Sequence, residues 1–221
     1  MTTPSVVPRL LALSLFALAL LPGCGLRGSG TAATEQREVE GFDRIELSGG
    51  YDLVVHVEPG VAHKLEITAD DNIVGKITTT VVDGELEVGR EDVKLLRTKT
   101  PIRVEVWVPE LLAIEASGAA DIEVEGLHGE SFELELSGAS ESTLRGTVER
   151  FAVKASGAAT LEAVGLKAEA VTIALSGAGG ATVWASESLD VEISGAGKVI
   201  YWGDPASIRE RISGTGKLEA R

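Results

Sequence analysis

The dipeptide Ser-Gly recurs at Ser117-Gly118, Ser137-Gly138, Ser156-Gly157, Ser176-Gly177, Ser194-Gly195 and Ser213-Gly214, at intervals of 20, 19, 20, 18 and 19 residues. An earlier copy stands at Ser48-Gly49. A period of this length marks stacked structural repeats. Apolar residues hold fixed offsets from each Ser. Three before it stand Ile114, Leu134, Val153, Ile173 and Val191, and seven after it Val124, Leu144, Ala163, Val183 and Tyr201. The positions between them are mostly Glu, Lys, Arg, Thr or Asp. That alternation has the period of a strand with one buried face, so each repeat holds two short strands. Gly takes a positive φ without a Cβ clash, which suits the corner at Ser-Gly and a second corner nine residues on, at Gly126, Gly146, Gly165 and Gly203.

One such strand cannot bury its own apolar face. Stacking repeats about 4.8 Å apart buries a continuous column and pairs each backbone with the next. The fold class is therefore all-β, a parallel β-solenoid with rungs of 18–20 residues. Aromatics make up only 4% of the chain, which fits thin layers of Val, Ile, Leu and Ala. Between residues 50 and 110 the register is looser. Strands are expected at DLVVHV, KLEIT, ITTTVV, ELEVG and IRVEVWV, with turns at Glu58-Pro59-Gly60, Ala69–Asn72 and Asp83-Gly84, as longer or irregular rungs of the same solenoid.

The first 23 residues read as a secretory signal: Arg9, then the apolar run Leu10 to Leu21, too short for a spanning helix. The run ends in Leu21-Pro22-Gly23-Cys24, which resembles a bacterial lipobox. The resemblance implies cleavage after Gly23 and lipid attachment at Cys24. Gly25 after the cysteine resembles outer-membrane sorting. The expected organisation is a signal peptide over 1–23, a lipidated Cys24 with a flexible tether over 24–39, and one solenoid domain over 40–221.

The Ser-Gly-Ala corners resemble those of the family described as putative auto-transporter adhesin, head GIN domain. Phe42-Asp43-Arg44-Ile45, Thr68-Ala69-Asp70-Asp71-Asn72 and Gly84-Glu85-Leu86 are similar to it as well. The resemblance spans Glu40 to Arg221. It implies a right-handed β-helix in a bacterial envelope protein and brings no catalytic or cofactor-binding residues with it.

Candidate sites are few. No histidine stands where it could activate the Ser column, so Ser117, Ser137, Ser156, Ser176, Ser194 and Ser213 are read as corner residues. His56, His63 and His128 are scattered, and the lone Cys24 has no partner for a disulfide or zinc site. Asp70, Asp71 and Asn72 could offer oxygens to calcium but are ordinary turn residues. A polysaccharide-active site would need clustered outward carboxylates. Thr143 separates Glu123 from Glu162, and Lys154 follows Glu115 and Glu135. Trp184 and Trp202 share an outward offset in consecutive rungs and make a candidate ligand platform. Glu210, flanked by Arg209 and Arg211, takes an inward place that other rungs fill with Ile, Leu or Val, as an end cap would. The net charge of −14 argues against nucleic acid and against an anionic membrane face as direct partners, because both would repel it.

The function expected is binding or scaffolding in the cell envelope, without catalysis or cofactor. The partners are the membrane through Cys24 and a glycan or envelope protein. Self-association as a structural envelope protein and a polysaccharide-active enzyme are the alternatives.

Overall fold

The computed structural model describes residues 25–91 and 96–221. The strands are β1 (Leu26–Arg27), β2 (Ala32–Arg37), β3 (Arg44–Gly49), β4 (Asp52–Val57), β5 (Lys64–Asp70), β6 (Ile77–Val82), β7 (Glu85–Arg90), β8 (Leu96–Arg97) and β9 (Arg103–Val108). They continue as β10 (Ala113–Gly118), β11 (Asp121–Gly138), β12 (Glu141–Gly157), β13 (Thr160–Gly177), β14 (Gly180–Gly195), β15 (Lys198–Trp202), β16 (Ser207–Gly214) and β17 (Lys217–Ala220). Together they form the expected β-solenoid. Each of the long strands β11 to β14 turns from one face of the solenoid to the next. In β12 and β13 both parts pair with the same neighbouring strand on each side, always in parallel.

The Ser-Gly corners form one column. Ser48, Ser117, Ser137, Ser156, Ser176, Ser194 and Ser213 are partners in successive ladders. From Gly138 to Gly214 the residue after the corner Gly donates its N–H to the Gly carbonyl one rung back. Ala139 reaches Gly118 at 3.0 Å, Ala158 reaches Gly138 at 2.9 Å and Ala196 reaches Gly177 at 2.8 Å. Gly138 has φ 124°, and a Cβ there would collide with the Gly118 carbonyl oxygen. The serines are less cooperative than a continuous hydroxyl ladder. Ser48 and Ser117 are 3.4 Å apart, but Ser117 and Ser156 also turn to backbone carbonyls one rung back. The second corner is not a stacked column. Gly146 pairs with Leu127 and Leu166, because the register slips between Val124 and Leu127 and again between Thr143 and Gly146.

Inside, the Val, Ile and Leu columns are buried as the alternation predicts, and Phe132 stacks on Phe151 one rung away at 6.0 Å. A column three residues after each Ser also points inward. It runs Tyr51, Ala120, Ser140, Ala159, Gly179, Gly197 and Gly216, so the core narrows away from Tyr51. Tyr51 Oη, Ser140 Oγ and Ser142 Oγ are buried without a protein partner.

The irregular half departs from the expected layout. The five expected strands are present, but their spatial order is not their chain order. β3 and β4 lie between β7 and β9 on one side and β10 and β11 on the other. The chain builds this rung, leaves it, adds the rung beneath, and returns at Ala113. At that lower end the pairing turns antiparallel: β6 on β7, β5 on β9 and β2 on β5. Asp83 (φ 49°) and Gly84 (φ 87°) make the tight β6–β7 turn. These antiparallel strands cap one end of the solenoid.

Residues 24–39, expected as a flexible tether, are held from Leu26 onward. β1 pairs with β8 and β2 with β5. Asp70 is fully buried and accepts from the N–H groups of Gly30 (2.7 Å), Lys99 (2.8 Å) and Thr100 (3.3 Å) and from the Thr100 hydroxyl (3.1 Å). Asn72 accepts from Ser29 N–H and donates to the Arg27 carbonyl, and Asp71 accepts from the Ser29 hydroxyl. The three residues considered for calcium are thus a clasp that closes the amino-terminal segment onto the body. Polar composition alone suggested a tether because the clasping partners lie about forty residues away. Residues 1–24, with the signal-like run and Cys24, lie outside the described residues.

Two outcomes test these constraints. Gly138→Ala is expected to lower stability by about 2 kcal/mol or more, through positive-φ strain and the collision, while Ser137→Ala stays within about 0.5 kcal/mol. Chemical denaturation of both variants reads the difference. Burial pushes the Asp70 pKa up, but its backbone and hydroxyl donors outweigh burial and hold it below the usual value. Its contribution is therefore present above the unfolded-state pKa of about 3.9 and lost as pH falls through the lower folded value. Asp70→Asn should melt earlier than the parent at neutral pH, and the gap should close in acid.

Candidate functional site

The outer faces carry repeated columns of side chains, because residues at one offset sit on neighbouring strands. Trp184 and Trp202 are register partners between β14 and β15, as their spacing predicts. Trp202 is 41% exposed and Trp184 is half-buried. The Lys167 ammonium stands 3.4 Å over the Trp184 ring. The pair is thus one open indole face beside one capped by a cation. A shallow depression of about 300 Å³ adjoins Trp184, lined in part by Thr147, Glu149, Lys167 and Glu169. A flat apolar ring beside charged hydrogen-bonding groups can stack on a sugar ring and hold its hydroxyls. The same outward column begins at the capped end with Trp107, whose ring lies between His56, stacked at 5.1 Å, and the Lys64 ammonium at 4.1 Å. Sequence reasoning missed Trp107, because the rung that holds it comes out of chain order.

The carboxylate columns are longer than expected. Glu115 and Glu135 are neighbours and Lys154 follows, its ammonium 3.4 Å from Glu135. On the other side Glu46 pairs with Glu115, and Glu87 with Glu46. Four glutamates therefore stand on consecutive strands. Burial, then Glu115, Glu85 and Glu87, push the Glu46 pKa up. On the other face Thr143 does separate Glu123 from Glu162. Two residues earlier, however, Asp52, Asp121 and Glu141 stand on adjacent strands. They line a groove of about 390 Å³ with Glu123, Arg103 and Arg145. Burial and Asp121 raise the Asp52 pKa, and Arg103 opposes them. Asp52 lies 69 residues before its partner Asp121, too far apart for the repeat count to join them.

The histidines are used locally. His56 Nε2 lies 3.1 Å from Glu105, His63 Nε2 lies 2.9 Å from the Phe42 carbonyl, and His128 Nδ1 lies 2.9 Å from the Gly126 carbonyl. Among the described residues no group of three or more His, Cys, Asp or Glu side chains is placed to hold a metal ion. Among them no helix is long and apolar enough to cross a membrane.

A parallel β-solenoid with repeated outward columns and one antiparallel cap defines the class of protein. Within that class, the chain belongs to the family described as putative auto-transporter adhesin, head GIN domain, whose pattern matches residues 41–205. None of the curated proteins matches it. Several solved structures share the fold. A putative adhesin from Bacteroides fragilis superposes with a TM-score of 0.73 at 24% identity, covering 89% of this chain and all of its own. A putative adhesin from Parabacteroides merdae gives 0.58 at 19% identity, with 89% and 99% covered. A protein from Parabacteroides distasonis described as a putative lipid binding protein gives 0.50 at 19% identity, with the same coverage.

The glutamate column carries a pH prediction. Ionised Glu46 destabilises the fold, because its folded pKa is raised, and the penalty is relieved as pH falls through that value. Glu46→Gln should stabilise the protein near pH 7 by up to about 1 kcal/mol. Thermal melts should show the gain shrinking in acid and in high salt.

Proposed function

We propose that the protein is a lipid-anchored binding module of the bacterial cell envelope, with Cys24 as its anchor and the Trp184–Trp202 surface as its ligand platform. The observation that carries the reading is the pair of tryptophans on adjacent outward positions, one of them 41% exposed. A large aromatic left open on an acidic protein costs solubility unless it meets something. The Lys167 ammonium over the neighbouring Trp184 ring adds a donor, so the favoured ligand class is a glycan whose ring stacks on Trp202 and whose hydroxyls or carboxylates reach Lys167. Membership of an adhesin family supports recognition as the role.

A second reading is self-association through the open end. The edge strand β16 leaves Ile208 47% and Ile212 36% exposed. A third, polysaccharide turnover, draws on the Asp52–Asp121–Glu141 groove.

One screen separates the three: envelope glycans and envelope extracts against the soluble body beginning at Gly25, with mass measured across concentrations. Saturable glycan binding, lost in a folded Trp184→Ala/Trp202→Ala double variant, is the expected result. Binding indifferent to that variant sinks the platform. A rise in mass with concentration favours assembly. Cleavage of a bound glycan that stops in Asp121→Asn favours the enzyme.

A further inference from the structure

The clasp fixes where the body stands relative to its anchor. We propose that the capped end of the solenoid is a membrane-facing surface that seats on anionic phospholipid headgroups. The proposal rests on the reading of Cys24 as the lipidated residue. Gly25 alone separates Cys24 from β1. One extended residue spans about 3.5 Å. β1 is fixed by its parallel pairing with β8, by the Gly28 N–H on the Arg97 carbonyl at 2.8 Å and by the Asn72 bond to the Arg27 carbonyl. Acyl chains on Cys24 would therefore hold this end of the body against the bilayer, with no length of chain to let it swing away.

The surface around that point suits headgroups. Leu26 and Leu96 are register partners and half-buried. Arg27, Arg97 and Lys99 are exposed around them, and Lys99 Nζ donates to the Ser29 carbonyl at 3.0 Å. Among the described residues none of the three cations is ion-paired. On the solenoid faces Arg145, Arg150, Lys154, Lys198 and Arg209 all have carboxylate partners. Nearby, Asp70 is buried under its four donors and Asp71 takes the Ser29 hydroxyl. Each Lys or Arg at an anionic surface is worth about 1 kcal/mol, within a Debye length. The chain as a whole is acidic, at −14, so the same surface repels the rest of the body. Attraction at one end and repulsion along the flanks stand the solenoid upright. Six strand-to-strand steps separate the Trp107 rung from the Trp202 rung. At 4.8 Å per step, Trp202 is carried about 29 Å farther from the membrane than Trp107.

The test uses the full chain expressed in a bacterial host and extracted from membranes. Intact mass reports acylation at Cys24. The protein is then placed in phosphatidylcholine vesicles with and without phosphatidylglycerol, and amide exchange is followed. Protection over residues 26–31 and 96–100 should rise on the anionic vesicles, while residues 207–214 stay unchanged. Arg27→Gln/Arg97→Gln/Lys99→Gln should lose the rise while keeping the acyl mass and the melting temperature. Equal exchange on both vesicles, or protection at residues 207–214 instead, overturns the seated surface even where the acyl mass is present. A mass without acyl chains overturns the anchoring reading, and the seated surface falls with it.

Discussion

The structure depends on one backbone hydrogen bond, repeated at the Ser-Gly corners from Gly138 to Gly214: the N–H after the glycine donates to the glycine carbonyl one rung back. The bond is short because nothing but hydrogen stands on the Cα between the two rungs. A methyl group at any of these glycines would occupy the space of the carbonyl that the bond needs. The positive φ that turns the corner and the absence of a side chain that lets rungs stack are thus supplied by the same residue. Fixing this corner fixes the register, since a slip of one residue would turn each apolar column outward. At the second corner the register does slip.

A fixed register turns sequence offsets into surface chemistry. Residues 18–20 apart become neighbours, for better and worse. Trp184 and Trp202 come together into one surface, and so do Glu115 and Glu135, to which the rungs built out of chain order add Glu46 and Glu87, four like charges that repel one another. The glutamate column costs stability, and the aromatic pair exposes apolar area. Both are tolerable because the columns inside bury Val, Ile and Leu without interruption through most of the rungs.

The regular half was legible because period and alternation are local. Every Ser-Gly pair, the inward columns and the Trp184–Trp202 register pairing follow from counting. Five strands of the other half were legible as segments but not as an arrangement. Alternation in Asp52–Val57 specifies a half-buried strand, and nothing in it says that Arg103–Val108 lies on one side and Asp121 on the other. The clasp was hidden for the same reason. Asp70-Asp71-Asn72 reads as a turn in isolation, and only the return of Gly28–Thr31 to that turn turns its oxygens into ligands for backbone N–H groups. The Asp52–Asp121–Glu141 groove and Trp107 were missed with it, since each depends on a rung built out of order.

The two ends of the solenoid are protected by different means, and the difference bears on what the protein can do. At one end antiparallel strands cover the edges, which stops further rungs from adding there. At the other, β16 pairs only with β14 and leaves its outer edge open. Its inward positions read Ile208, Glu210, Ile212, and Glu210 sits where the rung before has buried Val191. A second copy stacked on this edge would have to desolvate that carboxylate in the middle of an apolar column, at a cost of several kcal/mol unless it met a cation. The nearby Arg209 and Arg211 point the other way, to Asp190, and are already paired. Glu210 therefore acts against edge-to-edge growth through this end, as an inward charge on an edge strand does elsewhere. With the capped end turned to the membrane in the proposed arrangement and the other end guarded, the surfaces left for a ligand away from the membrane are the flanks. On them Trp202 stands open beside its register partner Trp184, which supports the proposed recognition over assembly as the role of this solenoid.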